Sequence, residues 1–183
     1  MTILTKEQSQ HLQTLNDIDW KNWTGAVRAT LLFILIGEKV LMIQKKTGLG
    51  AGKYNAAGGK LEKGETIEEG ALRELEEELC ITAIQPRLLG ELKFQFRDGY
   101  SLHTYVFLST EFEGIPAETR EAIPVWFDRS ALPFEEMWED DPYWVPLLLD
   151  GNELTGEFLF DGDKMLDHDV RLGLEIDGSL SES

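Results

Sequence analysis

The chain has little of several things, and each scarcity excludes something. Its 183 residues include one cysteine, Cys80, so no intrachain disulfide can form and a reducing cytoplasm is the expected setting. The longest apolar run, Leu31 to Ile36, falls far short of the roughly 20 residues of a bilayer-spanning helix. The first ten residues are polar and lack the basic-then-apolar layout of a secretory leader. Internal repeats and low-complexity linkers are absent as well. Positive charge is scarce: 17 Lys+Arg stand against 34 Asp+Glu, a net charge of −17. Such a surface repels a nucleic-acid backbone and an anionic membrane, so neither is an expected partner. An acidic protein that handles phosphates needs a metal ion or a local basic patch.

What is present is enough for one globular domain. Apolar residues make up 42% of the chain and aromatics 10%, which excludes an acidic disordered tail. The charge is also unevenly laid out. Residues 1–59 carry a net +3, while residues 60–78 carry eight glutamates against Lys60, Lys63 and Arg73. A basic front half therefore runs straight into a dense glutamate cluster.

Thr5-Lys6-Glu7-Gln8 forms a capping-box pattern that predicts a short helix to about Leu15. Trp20 and Trp23 then pin an N-terminal helical appendage, residues 1–25, to the domain that follows. Ala26–Ile36 is the near-continuous apolar run of a strand covered on both faces, and Gly37-Glu38-Lys39 turns it into a second strand, Val40–Gln44. A Gly/Ala-rich loop spans Lys45–Lys63. Thr66-Ile67-Glu68-Glu69 is a second capping box, opening a helix to about Leu79. Further strands are expected at Leu88–Phe96, His103–Phe112 and Pro124–Phe127, a short helix at Pro142–Leu149, and a hairpin turn at Asp161-Gly162. The fold class is α/β (α+β), a sandwich with a mixed sheet. The main domain is expected over residues 26–170, with an acidic tail at 171–183.

On the second helix, Ile67, Ala71, Leu72, Leu75 and Leu79 share an apolar face. Glu74, Glu77 and Glu78 gather beside it at i,i+3 and i,i+4 spacing, where like charges destabilise a helix. A hard divalent cation removes that cost, and oxygen ligands so spaced suit Mg²⁺ or Mn²⁺. A solvated acidic face is the alternative meaning of a glutamate run. His103 and His168 have no partner spacing that points to a metal.

The segment Gly59-x5-Glu65-x7-Arg73-Glu74-Leu75-x-Glu77-Glu78-x-Cys80-Ile81 resembles the signature of the Nudix hydrolases, departing only at Cys80, where glycine is the rule. A non-glycine residue there costs about 1 kcal/mol if the backbone is left-handed. From about Thr30 to Val170 the chain looks like one branch, the oxidised purine nucleoside triphosphatases of animals. The matching stretches are Lys45–Asn55, Pro133–Asp141 and Tyr143–Leu149.

The resemblance implies an α/β/α sandwich around a mixed sheet, with the signature loop and helix at the reacting centre. It implies a Mg²⁺ (or Mn²⁺) ion held by the Gly59 carbonyl, Glu74, Glu77, Glu78 and Glu121. Arg73 would pair with Glu65 to tie loop to helix, and Glu77 or Glu78 would act as general base. Asn55, Asp140 and Asp141 would bond a purine base and Trp138 would stack on it. Thr30 and Phe94 would line the pocket, and Lys45 would lie close to the substrate. The implied partner is a nucleoside triphosphate such as 8-oxo-dGTP or 2-hydroxy-dATP, met by a monomer. An Asp pair of which one member is protonated presents both a donor and an acceptor, and so can read either oxidised base. Taken by residue type alone, Asp140-Asp141 before Pro142 also reads as a helix N-cap, Trp138 as core, and Asn55 as a turn residue. Competing readings are another nucleotide substrate (a methylated purine triphosphate, a dinucleotide polyphosphate or a nucleotide sugar) and a non-catalytic binding module.

Overall fold

The computed structural model describes residues 1–174. In chain order the elements are α1 (Lys6–Ser9), β1 (Val27–Ile36), β2 (Lys39–Lys45), β3 (Tyr54–Asn55), β4 (Ala57–Lys60), α2 (Ile67–Leu79), β5 (Thr82–Ala83), β6 (Arg87–Phe96), β7 (Ser101–Ser109), β8 (Phe112–Glu113), β9 (Ala122–Asp128), α3 (Asp141–Leu149), β10 (Leu154–Asp161) and β11 (Lys164–Leu172). Nine strands form one mixed sheet along the path β11-β10-β6-β7-β1-β2-β3, with β4 on β1 and β9 on β2. The pairs β1·β7 and β6·β10 are parallel.

Strand β1 alternates between two cores. Leu32 and Ile34 pack under α2 with Ala71, Leu75 and Leu79. Phe33 and Leu35 pack under α3 with Trp144, Val145 and Leu148. The sheet is thus sandwiched between α2 and α3, and the near-continuous apolar run of β1 follows from having no solvent face.

β1 and β2 stay paired only at Ile34–Ile36 with Lys39–Leu41. Below that they part, and residues 54–60 fill the gap: β3 pairs with Ile43 and Gln44 of β2, and β4 with Ala29–Leu32 of β1. The expected long loop Lys45–Lys63 therefore contains two short strands. No alternation marks them: Ala57-Gly58-Gly59 has almost no side chains to alternate, and Tyr54-Asn55 is too short to show one.

Two other boundaries also differ. The first helix stops at Ser9 instead of near Leu15, because the guanidinium of Arg97 takes the Gln10 carbonyl that a continuing helix would use. The strand expected over His103–Phe112 ends at Ser109, whose hydroxyl bonds the carbonyls of Ile84 and Glu111; Phe112 belongs to the separate β5–β8 ribbon.

Residues 1–25 pack against the sheet through Leu12, Ile18 and Trp23, which bury Leu159. Strand β11 runs to Leu172, two residues into the stretch assigned to the tail, and residues 175–183 of that tail lie outside the described residues. No helix among the described residues is long and apolar enough to cross a membrane.

Helix α2 begins at Thr66 with both capping-box bonds made and ends at Cys80 with φ 61° and ψ 30°. Cys80 holds the left-handed conformation that its position demands, against the preference of a residue with a Cβ. Cys80→Gly relieves that strain and adds some freedom to the unfolded chain. It should stabilise the fold by about 0.5–1 kcal/mol. Urea unfolding midpoints of the two proteins check this; an unchanged or lower midpoint contradicts it.

Candidate active site

Helix α2 and the β4 segment build one half of the site. Arg73 ties them together: its guanidinium bonds both carboxylate oxygens of Glu65, the Lys60 carbonyl at 3.1 Å, Glu74 at 2.9 Å and Glu77 at 3.2 Å. That guanidinium holds the Glu65 carboxyl below the usual carboxylate range, and Arg73 is itself shifted up by the same contact. Glu78 is almost wholly buried and accepts from the Gly58 amide at 2.8 Å. Burial pushes its carboxyl up to about 7, against the pull of the Gly58 amide and of Lys45. Burial also raises Glu74, opposed by Arg73 and reinforced by the charges of Glu77 and Glu121.

Two glycines let these parts meet. A Cβ on Gly58 would collide with the Thr30 carbonyl of β1, and one on Gly59 with the carboxylate of Glu74. Glu121 sits at the start of β9, exposed, near enough for its charge to raise both Glu74 and Glu78.

No three Asp, Glu, His or Cys side chains among the described residues are gathered tightly enough to hold a metal ion as they stand. Arg73 draws Glu74 and Glu77 toward itself, while Glu78 is turned onto Gly58. The donor set nevertheless fits a hard divalent cation. The charges of Glu74 and Glu121 raise Glu78 and that of Glu121 raises Glu74, the Glu74 carboxylate lies against the backbone of Gly59, and carboxylate oxygens are the hard donors such an ion takes.

The other half is a cleft of about 300 Å³ beside β1. Thr30, Lys45, Asn55, Phe94, Trp138, Asp140 and Asp141 all line it, together with Gly58, Gly59 and Lys60. Thr30 is buried, with its hydroxyl unpartnered. The side-chain oxygen of Asn55 accepts from the Ala56 amide at 2.8 Å. Phe94 stacks on Phe158, with ring centroids 4.9 Å apart. Trp138 meets Phe96 and Phe160 edge-on, and Lys53 holds its ammonium 5.2 Å from the indole centroid. Lys46, by contrast, is tied to Glu118 and to the Thr119 carbonyl.

Asp140 and Asp141 do not cap α3 in the ordinary way. Asp140 has helical backbone angles and makes no side-chain cap bond; its carboxylate accepts from Trp144 Nε1 at 2.7 Å. Asp141 accepts from the Trp138 amide at 3.2 Å. Both are buried. Burial raises Asp140 to about 6, and raises Asp141 further because Asp140 stands beside it. The indole N–H opposes the rise at Asp140, and the Trp138 amide opposes it at Asp141.

Trp144 belongs to the core and also reaches the site through its indole N–H on Asp140. Its spacing of four from Asp140 on a helix is the sequence signal for that bond. Lys53, Tyr100, Leu102 and Phe160 also line or border the cleft. Only the tertiary fold brings them there.

A model of the NUDIX domain family matches residues 26–148. The chain belongs to the Nudix family. It is 42% identical over 149 residues to the oxidized purine nucleoside triphosphate hydrolase of Danio rerio, covering 81% of this chain and 92% of that one. The protein of the same name from Mus musculus is 40% identical over 144 residues, covering 78% and 92%. A crystal structure of a MutT protein from Bacillus halodurans superposes with a TM-score of 0.70 at 28% identity, covering 79% of this chain and 97% of that one. This protein is a Nudix hydrolase, an enzyme class that uses divalent metal ions.

The two glycines of this Nudix site separate stability from chemistry. Gly58→Ala drives a methyl into a backbone carbonyl in the sheet and should cost more than about 2 kcal/mol of stability. Gly59→Ala displaces only the flexible end of Glu74, so it should cost less than about 1 kcal/mol yet lower activity at least ~10-fold. Thermal unfolding and nucleotide-hydrolysis assays on both variants check the contrast; equal loss of stability refutes it.

The carboxyls also fix a sign for stability against pH. Asp140 and Glu78 bind protons more tightly folded than unfolded, so their stabilising contribution is full below about pH 4 and is lost as pH rises through about 6 to 7; burial gives Asp141 the same sign. Asp141→Asn should make the fall in stability with rising pH smaller. Urea titrations across that range measure it, and an unchanged slope contradicts the assignment.

Proposed function

We propose that the enzyme hydrolyses oxidised purine nucleoside triphosphates, such as 8-oxo-dGTP and 2-hydroxy-dATP, to the monophosphate and pyrophosphate with Mg²⁺, and so cleanses the nucleotide pool. One observation carries this reading: a single cleft is lined both by Gly58, Gly59, Lys60 and Lys45, bordering Glu74 and Glu78, and by Asp140, Asp141 and Trp138. The names of the Danio rerio and Mus musculus relatives support it.

In this reading the base lies against the indole of Trp138, and its edge meets Asp140 and Asp141. Asn55 adds an amide, and Thr30 and Phe94 close the walls. The phosphates extend past Lys45 toward Gly58 and Gly59. The Gly59 carbonyl, Glu74, Glu78 and Glu121 would hold a divalent cation, Mg²⁺ or Mn²⁺, with Glu77 joining them on leaving Arg73; when bound it would supply positive charge against the phosphates and make water more acidic. Glu78, fixed by the Gly58 amide beside the cleft, takes the proton from the attacking water. Arg73 acts through the carboxylates that it positions.

A panel of normal and oxidised triphosphates scored by kcat/KM tests the substrate. Oxidised purines should exceed ATP and GTP. Asp140→Asn and Trp138→Ala should each reduce that preference about 10- to 100-fold, since a site built to bond a polar edge discriminates strongly. Glu78→Gln should lower turnover ~10²- to 10⁴-fold with the fold intact. No preference for oxidised bases would sink the substrate assignment, and near-normal turnover by the Glu78 variant would remove it as base.

A further inference from the structure

Residues 1–25 precede the matched domain, and the function proposed above gives them no task. Beside their packing on β10 and β11, they make a set of contacts at the end of the β6–β7 hairpin. Gly99, at φ 94°, lies so close to α1 that a Cβ would be 2.8 Å from the Lys6 nitrogen. Arg97 donates from Nε (3.0 Å) and Nη2 to the Gln10 carbonyl, and from Nη1 to Asp161 at 3.2 Å.

Between these contacts lies Gln95, which has no exposed surface. Its Oε1 accepts from Trp23 Nε1 at 2.8 Å. Its Nε2 donates to Ser9 Oγ at 3.2 Å, to the Phe96 carbonyl at 3.0 Å and to the Tyr100 carbonyl at 3.3 Å. One buried amide therefore joins both ends of the N-terminal segment to the backbone at Phe96 and Tyr100. The alternation of the strand sends the next side chain, Phe96, to the opposite face. Phe96 and Tyr100 line the cleft, their rings 5.8 Å apart. Phe96 stands edge-on to Trp138 at 6.2 Å, and Lys60 reaches within 6.0 Å of the Tyr100 ring centroid.

The hairpin has its own closing bond, from the Phe96 amide to the Tyr100 carbonyl at 2.9 Å. The bonds of Gln95 are additional, and what they fix is the angle at which the turn is held. A partly satisfied buried amide is costly, so this network holds one arrangement or loosens as a unit.

We propose that the N-terminal segment, acting through Gln95, positions Phe96 and Tyr100 as a wall of the cleft and thereby sets substrate affinity without entering the chemistry. The proposal rests on the reading of the cleft as a nucleotide site. Gln95 is a positioning residue, and Tyr100 is the substrate-facing group through which it acts.

The test uses the full chain and whichever nucleoside triphosphate the unaltered enzyme turns over best. Gln95→Met keeps the length of the side chain and removes its hydrogen bonds. It should raise KM ~5- to 20-fold while kcat stays within about 2-fold. Trp23→Phe removes a single bond to Gln95 and should move KM in the same direction by a smaller factor. In a Tyr100→Ala background, Gln95→Met should add less than about 2-fold, because the two act through one contact. Amide hydrogen exchange over residues 96–101 should quicken in Gln95→Met and remain unchanged over α2.

Unchanged KM, a loss confined to kcat, or full additivity with Tyr100→Ala overturns the proposal. If Gln95→Met does not fold, Trp23→Phe decides, and an unaltered KM there is the refuting result. If the unaltered enzyme hydrolyses no nucleoside triphosphate, the nucleotide reading has failed. Hydrogen exchange alone then judges whether the segment holds the hairpin, and unchanged exchange refutes that as well.

Discussion

Everything at the site depends on β1 lending one edge to two partners. It pairs with β2 for three residues and then with β4 for four, while its other edge runs parallel to β7. The exchange of partner is possible because Gly58 lies flat against the Thr30 carbonyl, where no side chain fits. That contact brings the Gly58 amide to Glu78 and the Gly59 backbone to Glu74. It also opens the gap in which Asn55 and the cleft lie. A sheet in which β1 and β2 stayed paired along their length would have the same core and no site.

Against that frame the carboxylates are held in tension. Glu74 and Glu78 are buried on a helix flank where their charges oppose each other, and Arg73 and Lys45 offset only part of the cost. The same device recurs at the start of α3, where Asp140 and Asp141 are buried side by side and the Trp144 indole bonds one of them. In both places burial is used to hold acid groups away from their ordinary ionisation, which structural ion pairs rarely need and reacting or discriminating sites do.

How far the sequence disclosed this differs by element. Helix α2 was legible to its last residue, since a capping box, an apolar stripe and a left-handed terminus are all local signals. The Glu65–Arg73 pair follows from the signature and is formed, and the seven cleft-lining residues follow from the resemblance alone and line one cleft. Strand β4 carries no alternation because it is built of alanine and glycine, and β3 is two residues long, too short to show one. The end of α1 was misplaced because a residue 87 positions away takes its carbonyl. Tyr100, Leu102 and Phe160 could not be foreseen, since only the pairing of distant strands carries them to the cleft. The −17 net charge, which argued against a nucleic-acid backbone or an anionic membrane as partner, includes the glutamates gathered beside Gly58 and Gly59 at one end of the cleft.

The two parallel pairings have a consequence for the order in which the molecule can assemble. Strand β1 ends at Ile36, but its parallel neighbour β7 begins at Ser101, and β6 waits for β10, which begins at Leu154. On the ribosome, the most apolar strand of the protein emerges with one edge open for the time needed to synthesise some 65 further residues. Non-local pairings of this kind fold slowly and expose strand edges to other chains. Strands β2 and β4 are its early partners along one edge, while the edge that β7 covers stays open until Ser101–Ser109 are made.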